Sequence, residues 1–129
     1  MGLAAQILLV DDEDMVRMQI RSSLELEGHQ VREASNGREA IDMLDGYKPD
    51  LMITDILMPE KEGIETIMEV RQKYADIKII AISGGVRTEN MDFLKIAKRL
   101  GADLALPKPF GRQQLLTLVN QLLGAKATS

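Results

Sequence analysis

The sequence predicts an α/β fold, a single domain spanning 1–129 in which five βα units surround a parallel sheet. Three observations carry this reading. Short continuous apolar runs alternate with longer segments whose apolar residues recur every three or four positions. Runs of that kind mark strands covered on both faces, as a parallel sheet between helices requires. Glycine, proline and Asn-Gly fall between the segments, where an alternating fold needs breaks. Finally, 129 residues with 45% apolar and 28% charged content suit one domain with a two-sided core and argue against disorder.

The elements follow in order. The apolar run 7–10 is the first strand, and a candidate helix at about 13–27 comes next, with Val16, Ile20, Leu24 and Glu27 spaced to face the sheet. Gly28 ends it. The run 31–34 is the second strand, and Asn36-Gly37 breaks the chain before a helix at 37–45. Gly46 and Pro49 precede the third strand, 51–54; Pro59 and Gly63 mark the approach to a helix at 62–74. The fourth strand, 79–82, runs into Gly84-Gly85 and a helix at 88–100 closed by Gly101. The fifth, 104–106, is followed by Pro107, Pro109 and a last helix at 111–123. Residues from about 124 to 129, ending A-K-A-T-S, are expected to form a flexible tail or the start of a linker.

Sixteen Lys and Arg against twenty Asp and Glu give a net charge of -4, the wrong sign for gripping nucleic acid by charge alone. The absence of cysteine excludes a disulfide framework, a thiolate nucleophile and a Cys-ligated zinc site. No run approaches the ~18 apolar residues of a membrane span, and M-G-L-A-A-Q lacks the basic start of a signal peptide. A soluble, cytoplasmic chain with no membrane insertion and no direct nucleic-acid partner is the expectation.

The conspicuous polar residues sit at strand ends. Asp11 and Asp12 end the first apolar run, Asp55 the third and Ser83 the fourth, while Lys108 follows the fifth. Right-handed crossovers place all carboxyl ends of parallel strands on one side, where doubly wound sheets form ligand sites, so the five should cluster there. Three carboxylates brought together repel, and an oxygen-preferring divalent cation relieves that repulsion; Mg2+ suits carboxylates combined with waters and phosphate oxygens. Lys108 adds a fixed positive charge. Such a pocket, with a hydroxyl and loop amides, is built to accept a phosphoryl group, and Asp55 becomes a candidate attacking oxygen.

At this point the residues resemble a known family, the receiver domains of two-component response regulators, with chemotaxis-type single-domain members closest in size. The likeness rests on I-L-L-V-D-D-E at 7–13, M-I-T-D-I-L-M-P at 52–59, Gly63, A-I-S-G-G at 81–85 and G-A-D-L-A-L-P-K-P-F at 101–110. It implies a flavodoxin-like three-layer (βα)5 sandwich with strand order 2-1-3-4-5. It also implies Asp55 as phosphoacceptor, Asp12 as direct metal ligand, Asp11 as a ligand through water and the Leu57 carbonyl as the third protein ligand. Ser83 resembles the switch hydroxyl, Gly84 would offer its amide, and Lys108 would bridge phosphoryl group and carboxylate, aimed by a cis bond to Pro109. The implied cofactor is Mg2+. The implied partners are a histidine kinase or histidine phosphotransfer protein and a downstream target protein, with no output domain in this chain and no external substrate turned over.

Departures from the family pattern matter too. Ala105 stands where many receivers carry an aromatic switch residue, Ser83 where Thr is common, and Leu57 and Gly85 flank the acceptor and the hydroxyl. Taken singly, D-D-E-D at 11–14 is also an acidic helix start, Asp55 a strand-end cap and Lys108 a surface lysine; the joint pattern outweighs these readings. His29, the single histidine, reads as a solvent-exposed turn residue. A serine triad lacks its partners. A Mg2+-dependent phosphatase would place its nucleophile after the first strand, and a flavin binder would need a Ser/Thr/Gly-rich first loop and more than 3% aromatic residues. A phosphorylation-independent scaffold is the remaining alternative, supported by Ala105.

Overall fold

The computed structural model describes residues 4–56, 62–83, 95 and 97–128, with residues 62, 83 and 125–128 as backbone. Five strands, β1 (Gln6–Val10), β2 (Gln30–Ala34), β3 (Leu51–Asp55), β4 (Lys78–Ser83) and β5 (Leu104–Pro107), form one parallel sheet in the order β2-β1-β3-β4-β5. Between them run α1 (Asp14–Leu26), α2 (Gly37–Met43) and α3 (Glu62–Lys73); α4 (Arg112–Thr128) closes the chain. This is the flavodoxin-like fold and strand order expected. Residues 97–100 are helical and match the end of the predicted helix 88–100, the rest of which lies outside the described residues apart from residue 95, also helical.

The apolar runs form strands because alternate side chains fill opposite layers. From β1, Ile7 and Leu9 join Ile20 and Leu24 of α1 and Leu115, Leu116 and Val119 of α4 on one side. Leu8 and Val10 join Ala40 of α2, Ile67 and Val70 of α3 and Ala97 on the other. Each strand extends past its apolar run: Gln6 pairs with Gln30 and Lys78 with Leu51, polar ends that a hydrophobicity pattern does not mark.

Local chemistry sets the helix ends. The Asn36 side chain accepts from the Glu39 amide at 2.8 Å, and the Glu39 carboxylate accepts from the Ser35 amide at 2.7 Å, so α2 begins with free amides satisfied from both directions. In α1 the predicted inward stripe holds for Ile20 and Leu24, but Glu27 lies outside, 3.4 Å from Arg112 of α4. The backbone of α4 is helical through Thr128, beyond the predicted end at 123.

At the amino edge of the sheet, Arg71 of α3 donates to the carbonyls of Gly101 (2.8 Å), Ala75 (2.9 Å) and Ile77 (2.9 Å) and pairs with Asp103 at 2.9 Å. Asp103 in turn accepts from the Ile79 amide at 2.8 Å. One guanidinium thus ties α3, the turn at Gly101 and the start of β4 together. Gly101 has φ +142, a conformation open to glycine, and a Cβ there would press on the Arg71 stem. His29 is not the exposed turn residue expected: it is buried, and its Nδ1 accepts from the Ala5 amide at 3.1 Å. Burial holds its pKa below the usual imidazole value despite nearby Glu27.

Candidate functional site

The carboxyl ends of β1, β3 and β5 meet as their topology requires. Asp11 follows β1, Asp55 ends β3, and one carboxylate oxygen from each of Asp11, Asp12 and Asp55 lies within 4.8 Å of the others. Asp11 is 1% and Asp55 4% exposed, whereas Asp12 opens to solvent. The Lys108 ammonium reaches into the cluster, 3.1 Å from Asp55 Oδ2, 3.5 Å from Asp11 Oδ2 and 3.8 Å from Glu13 Oε1. The Lys108–Pro109 peptide is cis, as the motif implies.

Asp11 is held on several sides. Its amide donates to the Ala34 carbonyl at 3.2 Å, its Oδ1 accepts from the Glu13 amide at 2.8 Å, and its carbonyl accepts from Arg17 Nη1 at 2.6 Å. Burial pushes the Asp11 carboxyl up to about 6; the Glu13 amide and Lys108 pull it down, while Asp55 and Asp12 push it further up. Burial alone would lower the Lys108 pKa, but the charges of Asp55 and Asp11 outweigh it and raise the value. Among the described residues the cluster is therefore short of positive charge, with one ammonium facing three aspartates and Glu13. Crowded acidic oxygens around one ammonium fit a hard divalent cation.

The end of β3 that carries Asp55 is supported closely from behind. Gly63, early in α3, packs against the Asp55 carbonyl oxygen and Ile56 so tightly that a Cβ would collide with both. Thr54 Oγ1 donates to the Asp55 carbonyl at 3.1 Å, and the Ile56 amide donates to the Ile82 carbonyl at 2.9 Å.

Asp11, Asp12, Asp55 and Lys108 are thus brought together. Ser83 ends β4 at the same edge, paired in register with Pro107, and its hydroxyl is not among the described atoms. Leu57 and Gly84, assigned a carbonyl and an amide, lie outside the described residues, as does Gly85. Ala105 lies half-buried on β5 opposite Ala81. Two neighbours were not singled out from sequence. Glu13 extends the D-D-E run and faces Lys108; its place beside two site aspartates was the available signal. Arg17 meets the Asp11 carbonyl and, at 2.8 Å, Glu33 of β2, a partner that only the folded sheet brings near.

Comparison with known proteins places the chain among relatives. Residues 7–120 match the family model described as the response regulator receiver domain. The chain is 37% identical over 123 residues to the chemotaxis protein CheY of Halobacterium salinarum, covering 95% of this chain and 100% of that one. It is 38% identical over 125 residues to the sensor kinase CckA of Brucella abortus, covering 93% of this chain and 13% of the kinase. Among solved structures, a CheY-like response regulator receiver domain protein from Methanospirillum hungatei superposes with TM-score 0.87 at 25% identity, covering 98% of each chain.

Proposed function

The chain belongs to the response regulator receiver domains of two-component systems, and on that premise we propose that it is a signalling switch which accepts a phosphoryl group on Asp55. The observation that carries the proposal is the Lys108 ammonium 3.1 Å from a buried Asp55 carboxylate, beside Asp11 and Asp12. The donor is a histidine kinase or a histidine phosphotransfer protein. An Asp55 carboxylate oxygen attacks phosphorus, a P–O bond forms as the P–N bond to the donor imidazole breaks, and the imidazole keeps the electron pair. Lys108 steadies the carboxylate and offers its charge to the incoming oxygens. Asp11, Asp12 and Asp55 would hold Mg2+ with the Leu57 carbonyl, and the bound ion would neutralise charge among carboxylates and phosphoryl oxygens.

Ser83 through its hydroxyl and Gly84 through its amide belong to the same proposal by their place in the A-I-S-G-G motif. The same residues would support hydrolysis of the acyl phosphate, so that the chain catalyses its own modification and its reversal. Phosphorylation adds close to two negative charges at the carboxyl edge and shifts a pre-existing equilibrium of surface conformations that a downstream target protein reads. Ala105 provides no aromatic ring to swing inward, so the change leaves by another route.

Intact-protein mass after incubation with acetyl phosphate tests this. A gain of one phosphoryl group that needs Mg2+ and is absent from Asp55→Asn is the expected result. No gain in mass, with no binding of beryllofluoride, would replace the proposal with a phosphorylation-independent interaction scaffold.

A further inference from the structure

Arg17, one turn into α1, uses each of its three guanidinium nitrogens on a different acceptor. Nη1 donates to the Asp11 carbonyl at 2.6 Å, Nη2 to Asp14 Oδ1 at 2.6 Å and Nε to Glu33 Oε1 at 2.8 Å. Its side chain is only 13% exposed. Glu33 is itself held by Arg21, so the fork is anchored to β2. The Asp11 amide is bound to β2 as well, through the Ala34 carbonyl. Both backbone groups of Asp11 are therefore tied to the same strand, one directly and the other through Arg17.

The Asp11 carbonyl belongs to the peptide that joins Asp11 to Asp12. We propose that Arg17 is a positioning residue for the acidic site: by holding that carbonyl it fixes the plane of the Asp11–Asp12 peptide and keeps the Asp12 carboxylate turned toward Asp11 and Asp55. The inference rests on the reading that these carboxylates hold a divalent cation. Asp12 is exposed, so the direction of its side chain depends on the backbone that carries it. A planar five-donor fork can serve three acceptors at fixed angles, which a lysine ammonium on a flexible stem cannot. An ordinary α1–β2 ion pair would need only Nε and Glu33; the Asp11 carbonyl contact is the part that reaches the site.

The test is a calorimetric titration of the full chain with Mg2+, for the natural sequence, Arg17→Lys, Arg17→Met and Glu33→Gln, beside urea unfolding of each in chelator. Loss of a partner that orients a metal ligand weakens binding by about tenfold or more, and that is expected for both Arg17 variants. Their phosphorylation by acetyl phosphate should need correspondingly more Mg2+ for half-maximal rate while reaching a near-normal rate at saturation. Glu33→Gln removes the ion-pair charge and one of the anchor's two acceptor oxygens but leaves the Arg17 contact with the Asp11 carbonyl, so it should lower stability and weaken Mg2+ binding by clearly less than either Arg17 variant. Natural affinity in Arg17→Lys, or equal weakening in Glu33→Gln, overturns the proposal and reduces Arg17 to a structural pair. Failure of the natural sequence to bind Mg2+ overturns the cation reading itself, and the inference with it.

Discussion

Asp11 is an acid kept almost wholly inside the protein, where burial disfavours its charge first and the Asp55 and Asp12 carboxylates add to the cost. Its carboxyl titrates at about 6 when folded, against 3.8 for the ordinary group. A raised acid favours the folded state while protonated, so this contribution is complete below about pH 4 and is lost as pH rises through about 6. In chelator, Asp11→Asn is expected to be more stable than the natural sequence at pH 7 by about 1–2 kcal/mol and to lack that slope. Urea unfolding between pH 4 and 7 checks it, and parallel profiles for the two proteins would refute it. At this scale the sequence was legible where a residue type has few uses, as for paired aspartates at a strand end. It was not legible for His29, whose partner is an amide 24 positions earlier, nor for Arg17, whose acceptors come from a turn, a helix and a strand.

Elements were readable to within a few residues because apolar runs and breakers coincide with their limits. The strands proved longer than their apolar runs since ladder bonds continue through Gln6, Gln30 and Lys78 regardless of side-chain polarity. The helix α2 stops at Met43 rather than 45, with Leu44 as its cap. At the start of α3 the glycine is a packing requirement. Gly63→Ala would drive a methyl into the Asp55 carbonyl and Ile56, forcing either α3 or the end of β3 to move. Overpacking of this kind costs about 1–3 kcal/mol, and because the displaced backbone carries Asp55, the proposed acceptor, phosphorylation should slow as well. Chemical unfolding and the acetyl phosphate reaction measure the two effects; a variant with natural stability and rate would show that the helix gives way freely.

For the whole molecule, the order β2-β1-β3-β4-β5 buries β1, β3 and β4 between two apolar layers and leaves β2 and β5 at the edges. Local opening follows the least-covered elements, so amide hydrogen exchange should be slowest in β1, β3 and β4 and faster in β2 and β5. Fast exchange in β3 would show that the strand carrying Asp55 opens independently of the core. The site was legible at this scale for a topological reason: once the strands are parallel, Asp11, Asp55 and Lys108 must share an edge. The staple of Arg71 with Gly101 and Asp103 at the opposite edge joins elements far apart in sequence, and no periodicity announces it. The division into two layers also governs optical work. Tyr47 and Tyr74 both pack in the layer of α2 and α3, and the sequence has no tryptophan, so ultraviolet emission reports on that half alone. The half built by α1 and α4 is dark. Phe110, which packs against it two residues from Lys108, is the place where a single indole would light the other half and the edge of the acidic pocket together.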